Sequence, residues 1–260
     1  MAHPVSRSYR MAQAALVAVL VALAPIPPAS AQQKPAQAQE ESPTQKLWNE
    51  AEKLLAEKKY PASLQRFEQL EKEADKAGFV AEQKAAIAFR KASCLYLIAS
   101  KSKLSSDWAK VETALSQFLT TYPDGTGKLL DPFNNMRGPA RLSMIEAYAY
   151  QSKWDEALRD LENLRKPSPE TREEDRVLAF VMTAKILELR AKGRSPEELK
   201  QALGQSMNLL KQVIAGGMGT PERREAALKL VEVYAALGMA KDAEQLRAEI
   251  EAKGAGSPAE

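Results

Sequence analysis

Histidine, the side chain most often used as a general base and as a metal ligand, occurs once in the 260 residues, at His3. The rest of the chain therefore lacks the residue that Ser-His and Cys-His triads require and that many zinc sites use. Ser100 and Lys103 match the Ser-x-x-Lys spacing of serine acylases, but no Lys-Thr-Gly follows them. We interpret residues 100–103 as a turn between helices.

A second stretch, Asp-Gly-Thr-Gly-Lys at residues 124–128, has the composition of a phosphate-binding loop. Such a loop would need a glycine in place of Tyr122 and a hydroxyl residue in place of Leu129, and a strand should precede it. The acidic and amide residues nearby lack the alternate spacing of a calcium loop. We therefore predict no metal site and no cofactor.

Carboxylates are abundant, with 34 aspartate and glutamate residues, and a converging pair of them could act as acid and base on a glycan. Most of them stand beside lysine or arginine along predicted helices, which is the pattern of a solvated helix face. We predict that the protein is not an enzyme. The alternative is an envelope enzyme that acts on peptidoglycan or glycans through paired carboxylates.

Cysteine also occurs once, as Cys94 in the apolar run of residues 92–97, so an internal disulfide is excluded. A small core residue is the interpretation that this setting favours, and a reactive thiol or an intermolecular bridge is the alternative.

The amino-terminal 31 residues have the layout of a secretory signal peptide. Arg7 and Arg10 precede an apolar run of residues 11–24, and small residues end the segment at Ala31. The run is shorter than the roughly 20 residues of a membrane-spanning helix. We expect cleavage after Ala31, a disordered leader over residues 32–41, a helical domain over 42–253 and a disordered tail over 254–260. The bacterial periplasm is the predicted compartment, and an uncleaved amino-terminal anchor is the alternative.

Loss of the two signal-peptide arginines would lower the formal charge from +3 to +1. Lysine and glutamate are intermixed along the remaining chain, which leaves no clustered basic face for nucleic acid. We therefore predict no nucleic-acid partner and no integral membrane span after cleavage.

Helix start and stop signals fill most of the sequence. Residues 42–45, 171–174 and 195–198 each place a hydroxyl residue three positions before Glu or Gln, the pattern of a capping box, and Thr220 precedes a proline at a first helical position. Glycines mark the predicted helix ends. They are Gly78, Gly193, Gly216 and Gly238.

The predicted helices repeat at a regular interval. Tyr60, Trp108 and Trp154 each precede apolar or small residues at helical spacing, and weaker copies start at Leu199 and Ala240. These anchors are separated by 48, 46, 45 and 41 residues. Such a period is typical of a solenoid, with about ten helices here.

The units that contain Trp154-Asp155-Glu156-Ala157-Leu158 and Tyr234-Ala235-Ala236-Leu237-Gly238 resemble tetratricopeptide repeats (TPRs). The resemblance implies an all-α fold, a right-handed α-solenoid of about five antiparallel helical hairpins, in which Pro123 and Pro169 end second helices. The period exceeds the family's usual length of about 34 residues, so extra turns or longer connections are expected. The longest predicted connection covers residues 123–138.

In this family the first helix of each hairpin lines a concave groove that binds partners. Trp108 and Trp154 stand at inter-helix anchor positions and are predicted to lie in the core. For Trp48 and Tyr150, helix packing and partner contact both remain open. The groove positions that the resemblance selects here are Trp48, Glu52, Leu55, Leu142, Glu146, Tyr150, Leu228 and Glu232.

These features together favour an exported scaffold or adaptor that binds a protein or peptide partner with basic and apolar groups, in envelope assembly or maintenance. Self-association through the terminal repeats is a further alternative.

Overall fold

The computed structural model describes residues 41–122, 134–168 and 171–254 of the chain. Over these ranges every regular element is an α-helix, and the helices form two compact units, α1–α5 and α6–α10. The signal peptide, the leader and residues 255–260 lie outside the described residues. The ten helices are α1 (Pro43–Ala56), α2 (Tyr60–Ala74), α3 (Ala81–Ser102), α4 (Ser105–Thr121), α5 (Asn134–Tyr150), α6 (Trp154–Arg165), α7 (Glu173–Ala191), α8 (Pro196–Ile214), α9 (Pro221–Ala236) and α10 (Ala240–Gly254).

In the first unit each helix packs against the next in sequence, and α3 also contacts α5. Short connections between α1 and α2, α2 and α3, and α3 and α4 make these successive helices antiparallel, as in helical hairpins. The core is aromatic: Phe67, Phe89, Trp108 and Phe118 are all at most 2% exposed. Burial of each such side chain contributes about 1.5–3 kcal/mol, so packing holds these helices together more than helix propensity does.

The second unit repeats the arrangement with aliphatic side chains. Its core includes Val181, Leu210 and Leu230, and α7 packs against both α8 and α9. The first helices of neighbouring hairpins therefore lie side by side, which is the packing of an α-solenoid.

The predicted hairpin repeat is confirmed, because the second helices begin at Tyr60, Ser105, Trp154, Pro196 and Ala240, at or within a few residues of the predicted anchors. Trp108 is completely buried, as predicted. Trp154 begins α6 but is only half-buried, so its prediction as a core residue is wrong.

Three of the four predicted helix caps are formed. Ser42, Ser195 and Thr220 each accept a hydrogen bond from the backbone N–H three residues later, and Ser195 completes a reciprocal box with Glu198. The fourth prediction, Thr171, is wrong, because α7 begins two residues later.

Arg172 occupies the cap position of α7, with no side-chain cap bond to the backbone. Its guanidinium instead donates two hydrogen bonds, of 2.8 and 2.9 Å, to Asp175. An acidic first turn, Glu173 to Asp175, stabilises this end of the helix through the helix dipole.

The predicted helix-ending glycines Gly78, Gly193 and Gly238 have positive φ angles. After α8 the residue with positive φ is Gly217, at 93°, so the prediction of Gly216 is wrong by one residue. Because residue 215 still has helical backbone angles, the residue with the left-handed conformation comes one position later than predicted.

The prediction of a connection over residues 123–138 is wrong at its carboxyl end, because α5 begins at Asn134 and carries Pro139 inside it. Proline removes one backbone hydrogen bond of the first turns. Burial of Met136, Ala140 and Leu142 on the same helix offsets that loss. Pro123 and Pro169 lie outside the described residues.

Candidate functional site

In each unit the first helices of the hairpins form a surface that we call the A-face of that unit; in the first unit it comprises α1, α3 and α5. Near its amino-terminal end, Trp48 lines a shallow pocket with Gln45 on α1 and with Phe79 and Gln83. Trp48 is half-buried and meets Phe67 edge-on, with ring centroids 5.5 Å apart. This indole therefore packs on the core and also borders open space.

One turn further along α1, Glu52 forms an ion pair with Arg90 of α3 at 2.8 Å. The Arg90 side chain is 4% exposed, so this pair is largely desolvated. Burial raises the pKa of Glu52, and the nearby Arg90 partly opposes that rise. Glu52 thus links α1 to α3, and much of its charge is neutralised within the fold.

Glu146 on α5 is engaged in the same way. It accepts a 2.6 Å hydrogen bond from the hydroxyl of Tyr96, which is 1% exposed. The pKa of Tyr96 is raised well above its ordinary value. Burial is the larger cause, and the charge of Glu146 is the second. Tyr150 stacks on Trp108 with ring centroids 4.2 Å apart and an angle of 6° between the planes. Glu146 and Tyr150 therefore join α5 to α3 and α4.

Leu55 and Leu142 are core residues, 6% and 1% exposed. Side chains buried to this degree have little surface for a partner. They carry the packing beneath the A-face, and we do not include them in the surface proposed below.

In the second unit the A-face comprises α7 and α9, and it presents two large apolar side chains. Leu189 on α7 and Leu228 on α9 are 43% and 41% exposed. Glu188 and Lys229, the neighbours of these leucines in sequence, pair with each other at 2.7 Å across the two helices. Because α7 and α9 run parallel, Leu189 and Leu228 project to the same side at nearly the same level.

Charged side chains frame the two leucines. Lys185 of α7 pairs with Glu225 of α9 at 2.8 Å, and Lys229 lies 3.2 Å from Glu232 as well as bonding to Glu188. Burial raises the pKa of Glu188, and Lys229 partly opposes the shift. Glu232 is exposed at the edge of this group. The arrangement is an apolar centre with a charged rim, the anatomy of a protein interface.

Of the residues in this group, the sequence analysis selected Leu228 and Glu232 and did not select Leu189, Lys185 or Glu225. The sequence signal for Leu189 is weak because α7 carries apolar residues on most of its faces. Exposure of Leu189 depends on where α8 and α9 pack, which a single helix does not reveal.

Within the described ranges, no group of three or more His, Cys, Asp or Glu side chains is placed to hold a metal ion. In the same part of the chain, no helix combines the length and the apolarity needed to cross a membrane.

Comparison with solved structures identifies the architecture. The chain aligns with the nearly identical TPR-like repeats assigned to a Podosopora anserina kinesin light chain, with a TM-score of 0.56 and 16% identity, over 84% of this chain and 100% of that one. A variant of those repeats aligns with a TM-score of 0.55 and 16% identity, over 82% of this chain and 96% of that one. No family model matches the sequence, and no curated protein matches it.

These alignments, together with the helical hairpins, confirm the predicted all-α, TPR-like fold. At 16% identity they establish the fold alone. Folds of this kind generally mediate interactions between proteins.

Proposed function

We propose that the chain is a non-catalytic adaptor that binds a protein partner through the A-face of its second unit. The observation that carries the proposal is the pair of exposed leucines, Leu189 and Leu228, inside a rim of paired charges. Two exposed leucines on one side of adjacent helices, inside a rim of paired charges, would stabilise a complex by their burial.

Acidic Glu232 at the edge of the leucine pair favours a partner that presents apolar and basic side chains. An amphipathic helix of such composition would lay its apolar stripe on the leucines and its lysine or arginine residues near the carboxylate. The pocket beside Trp48 in the first unit is a secondary contact site of the same proposal.

The signal layout of residues 1–31 places this adaptor outside the cytoplasm in our proposal, in the periplasm, where it would serve assembly or maintenance of the cell envelope.

Affinity capture tests the proposal, with the full chain as bait in cross-linked envelope extract. The test variant combines Leu189→Lys with Leu228→Lys. Both side chains are more than 40% exposed, so the variant should fold like the wild type. The matched control is Leu199→Lys, which changes a leucine on α8 that is 36% exposed.

We expect one protein that wild type and the Leu199→Lys control both recover and that the double variant loses. Recovery of the same proteins by all three baits would remove the second-unit A-face as the binding surface. A purified chain that proves self-associated by light scattering, and dissociates in the double variant, would instead identify a second copy as the occupant.

A further inference from the structure

The second unit contains a cleft on the side of α7 that is opposite the A-face. Thr183 and Leu187 of α7 form its floor, and α6 and α8 form its walls. Residues 185 and 189, on the A-face, lie about 200° around the helix from residues 183 and 187. The cleft has a volume of about 570 Å³, within the range of ligand sites.

The lining of the cleft combines apolar and polar side chains. Leu158, Leu187 and Leu209 come from the three different helices, and Gln205 and Gln212 line the α8 wall. The leucines would bury apolar side chains of an occupant, while the amides would bond to its polar groups.

One side chain of the cleft has a hydrogen-bond donor without an acceptor among the described residues. The Nε–H of Arg165 is buried and has no hydrogen-bond partner among the described residues. The guanidinium lies 5.4 Å from the centre of the Phe180 ring. Burial lowers the pKa of Arg165, and the charge of Glu162 partly opposes that shift. A carboxylate is the group that best satisfies a guanidinium in such a place.

The equivalent helix position in the first unit holds a charged side chain that has an ion-pair partner. Arg165 stands eleven residues after Trp154, the start of α6, and Glu71 stands eleven residues after Tyr60, the start of α2. Glu71 pairs with Lys91 of α3 at 2.5 Å. In the second unit the position carries a cation instead, and the floor of the cleft supplies no carboxylate to it.

Other charges on the α6 wall already have partners. Arg159 lies 3.7 Å from Asp160, and Glu162 lies 3.7 Å from Lys166. Of the two arginines that line the cleft, Arg165 is the one that forms no ion pair among the described residues, and a carboxylate of an occupant would supply one.

We propose that this cleft is a second docking site, which binds an acidic, leucine-rich segment of a partner protein with a carboxylate on Arg165. The site is separate from the A-face, and it takes a segment of the opposite charge. An adaptor with both surfaces would hold two different segments at once.

Peptide binding to the full chain tests this site. The probes are labelled synthetic peptides of about 14 residues, roughly four helical turns. Leucine stands at positions i, i+3, i+4 and i+7, and the polar positions hold glutamate in one series and lysine in the other. Binding is followed by fluorescence anisotropy.

The comparison is made in the A-face variant Leu189→Lys/Leu228→Lys, because the A-face is proposed to bind helices such as those of the lysine series. In that background we expect saturable binding of the glutamate series that is about tenfold tighter than that of the lysine series, as for loss of one charge-assisted hydrogen bond. Arg165→Gln should remove that advantage. Arg247→Gln deletes the same charge from an exposed position on α10 and should leave it unchanged.

Arg165→Glu provides the decisive variant, because a reversed preference for the lysine series cannot result from unfolding. The A-face variant Leu189→Lys/Leu228→Lys should bind the glutamate series like the wild type. The proposal fails if the glutamate series does not bind saturably, if both series bind equally to the A-face variant, or if that variant abolishes binding of the glutamate series.

Discussion

At the scale of single residues, the polar groups of the first unit act as links between helices. Glu146 accepts the hydroxyl of Tyr96 across 50 positions of sequence, and Ser63 donates to the carbonyl of Ala51 while lying 3.4 Å from the sulfur of Cys94. Each of these groups is buried or half-buried, so its stability depends on a partner that the tertiary fold supplies.

The link between Tyr96 and Glu146 predicts unequal costs for its two deletions. Glu146→Ala leaves a buried hydroxyl without this acceptor and should lower the free energy of unfolding by about 1–3 kcal/mol. Tyr96→Phe removes the donor itself and should cost less, because Glu146 is half-buried and can be hydrated. Urea denaturation measures both.

Glu68→Ala, which alters an exposed glutamate on α2, is the control and should change stability by no more than about 0.5 kcal/mol. Equal costs for Glu146→Ala and Tyr96→Phe would show that the hydroxyl finds another acceptor.

Cys94 is predicted to be inert in the folded protein. The residue is fully buried, and burial raises the pKa of its thiol from the usual 9.0 to about 11. Iodoacetamide at about pH 8 should therefore leave native Cys94 unmodified and alkylate it fully in concentrated guanidinium chloride, as mass spectrometry would show. Rapid alkylation of the native chain would place the thiol at the surface.

The same shift makes stability depend on alkaline pH. Because the folded pKa is the higher one, the unfolded chain loses its thiol proton first as the pH rises. The contribution of the thiol is complete below the usual value of 9.0 and is lost as the pH rises towards about 11. The unfolding free energy of wild type minus that of Cys94→Ala should fall across this window. A difference that stays constant would contradict the shift.

At the scale of helices, α8 and α7 differ in the side chains that stabilise their amino-terminal ends. Ser195 and Glu198 cap α8 reciprocally, through bonds of 3.1 and 3.2 Å. Thr171, which has the same sequence signal, does not cap α7, because Arg172 and Asp175 take over that end. Identical local patterns thus have different outcomes, according to where the chain enters the helix.

This difference gives a paired prediction. Ser195→Ala should lower the free energy of unfolding by about 1 kcal/mol, because the backbone N–H of Glu198 loses its bond to the Ser195 hydroxyl. Thr171→Ala should change it by less than about 0.5 kcal/mol. Chemical denaturation of the two variants beside wild type is the measurement. A Thr171→Ala cost equal to that of Ser195→Ala would mean that Thr171 does cap α7 in solution.

At the scale of the whole molecule, each of the two units has its own core. Leu70 lies at the centre of the first and Leu230 at the centre of the second, with 0% and 1% of their surfaces exposed. In repeat folds a helix gains most of its stability from its immediate neighbours. Damage to one core should therefore act mainly on the helices of that unit.

Hydrogen exchange followed by mass spectrometry tests this expectation. Leu70→Ala and Leu230→Ala should each cost about 2–5 kcal/mol locally, as large-to-small core changes do. Leu70→Ala should accelerate amide exchange mainly in α1–α4, and Leu230→Ala mainly in α7–α10. Equal acceleration in both units for either variant would show that the chain unfolds as one cooperative body.

The sequence by itself determined the helices, most of their ends, the hairpin repeat and the burial of Trp108 and Cys94. These features depend on neighbouring residues, such as the hydroxyl of Ser195 before Glu198, or on apolar periodicity within one segment. The TPR-like fold followed from the same local information, because within each unit every helix packs against the next in sequence.

Only the tertiary structure decided which polar and apolar groups meet across helices. Glu52 and Glu146, predicted for the groove, pair instead with Arg90 and Tyr96, and Leu189 is exposed although its helix is mostly apolar. The buried Nε–H of Arg165 has no acceptor among the described residues, because the neighbouring helices place no oxygen atom in hydrogen-bonding geometry with it. Such pairings join residues tens of positions apart, and their energies depend on relative helix placement, for which local sequence carries no signal.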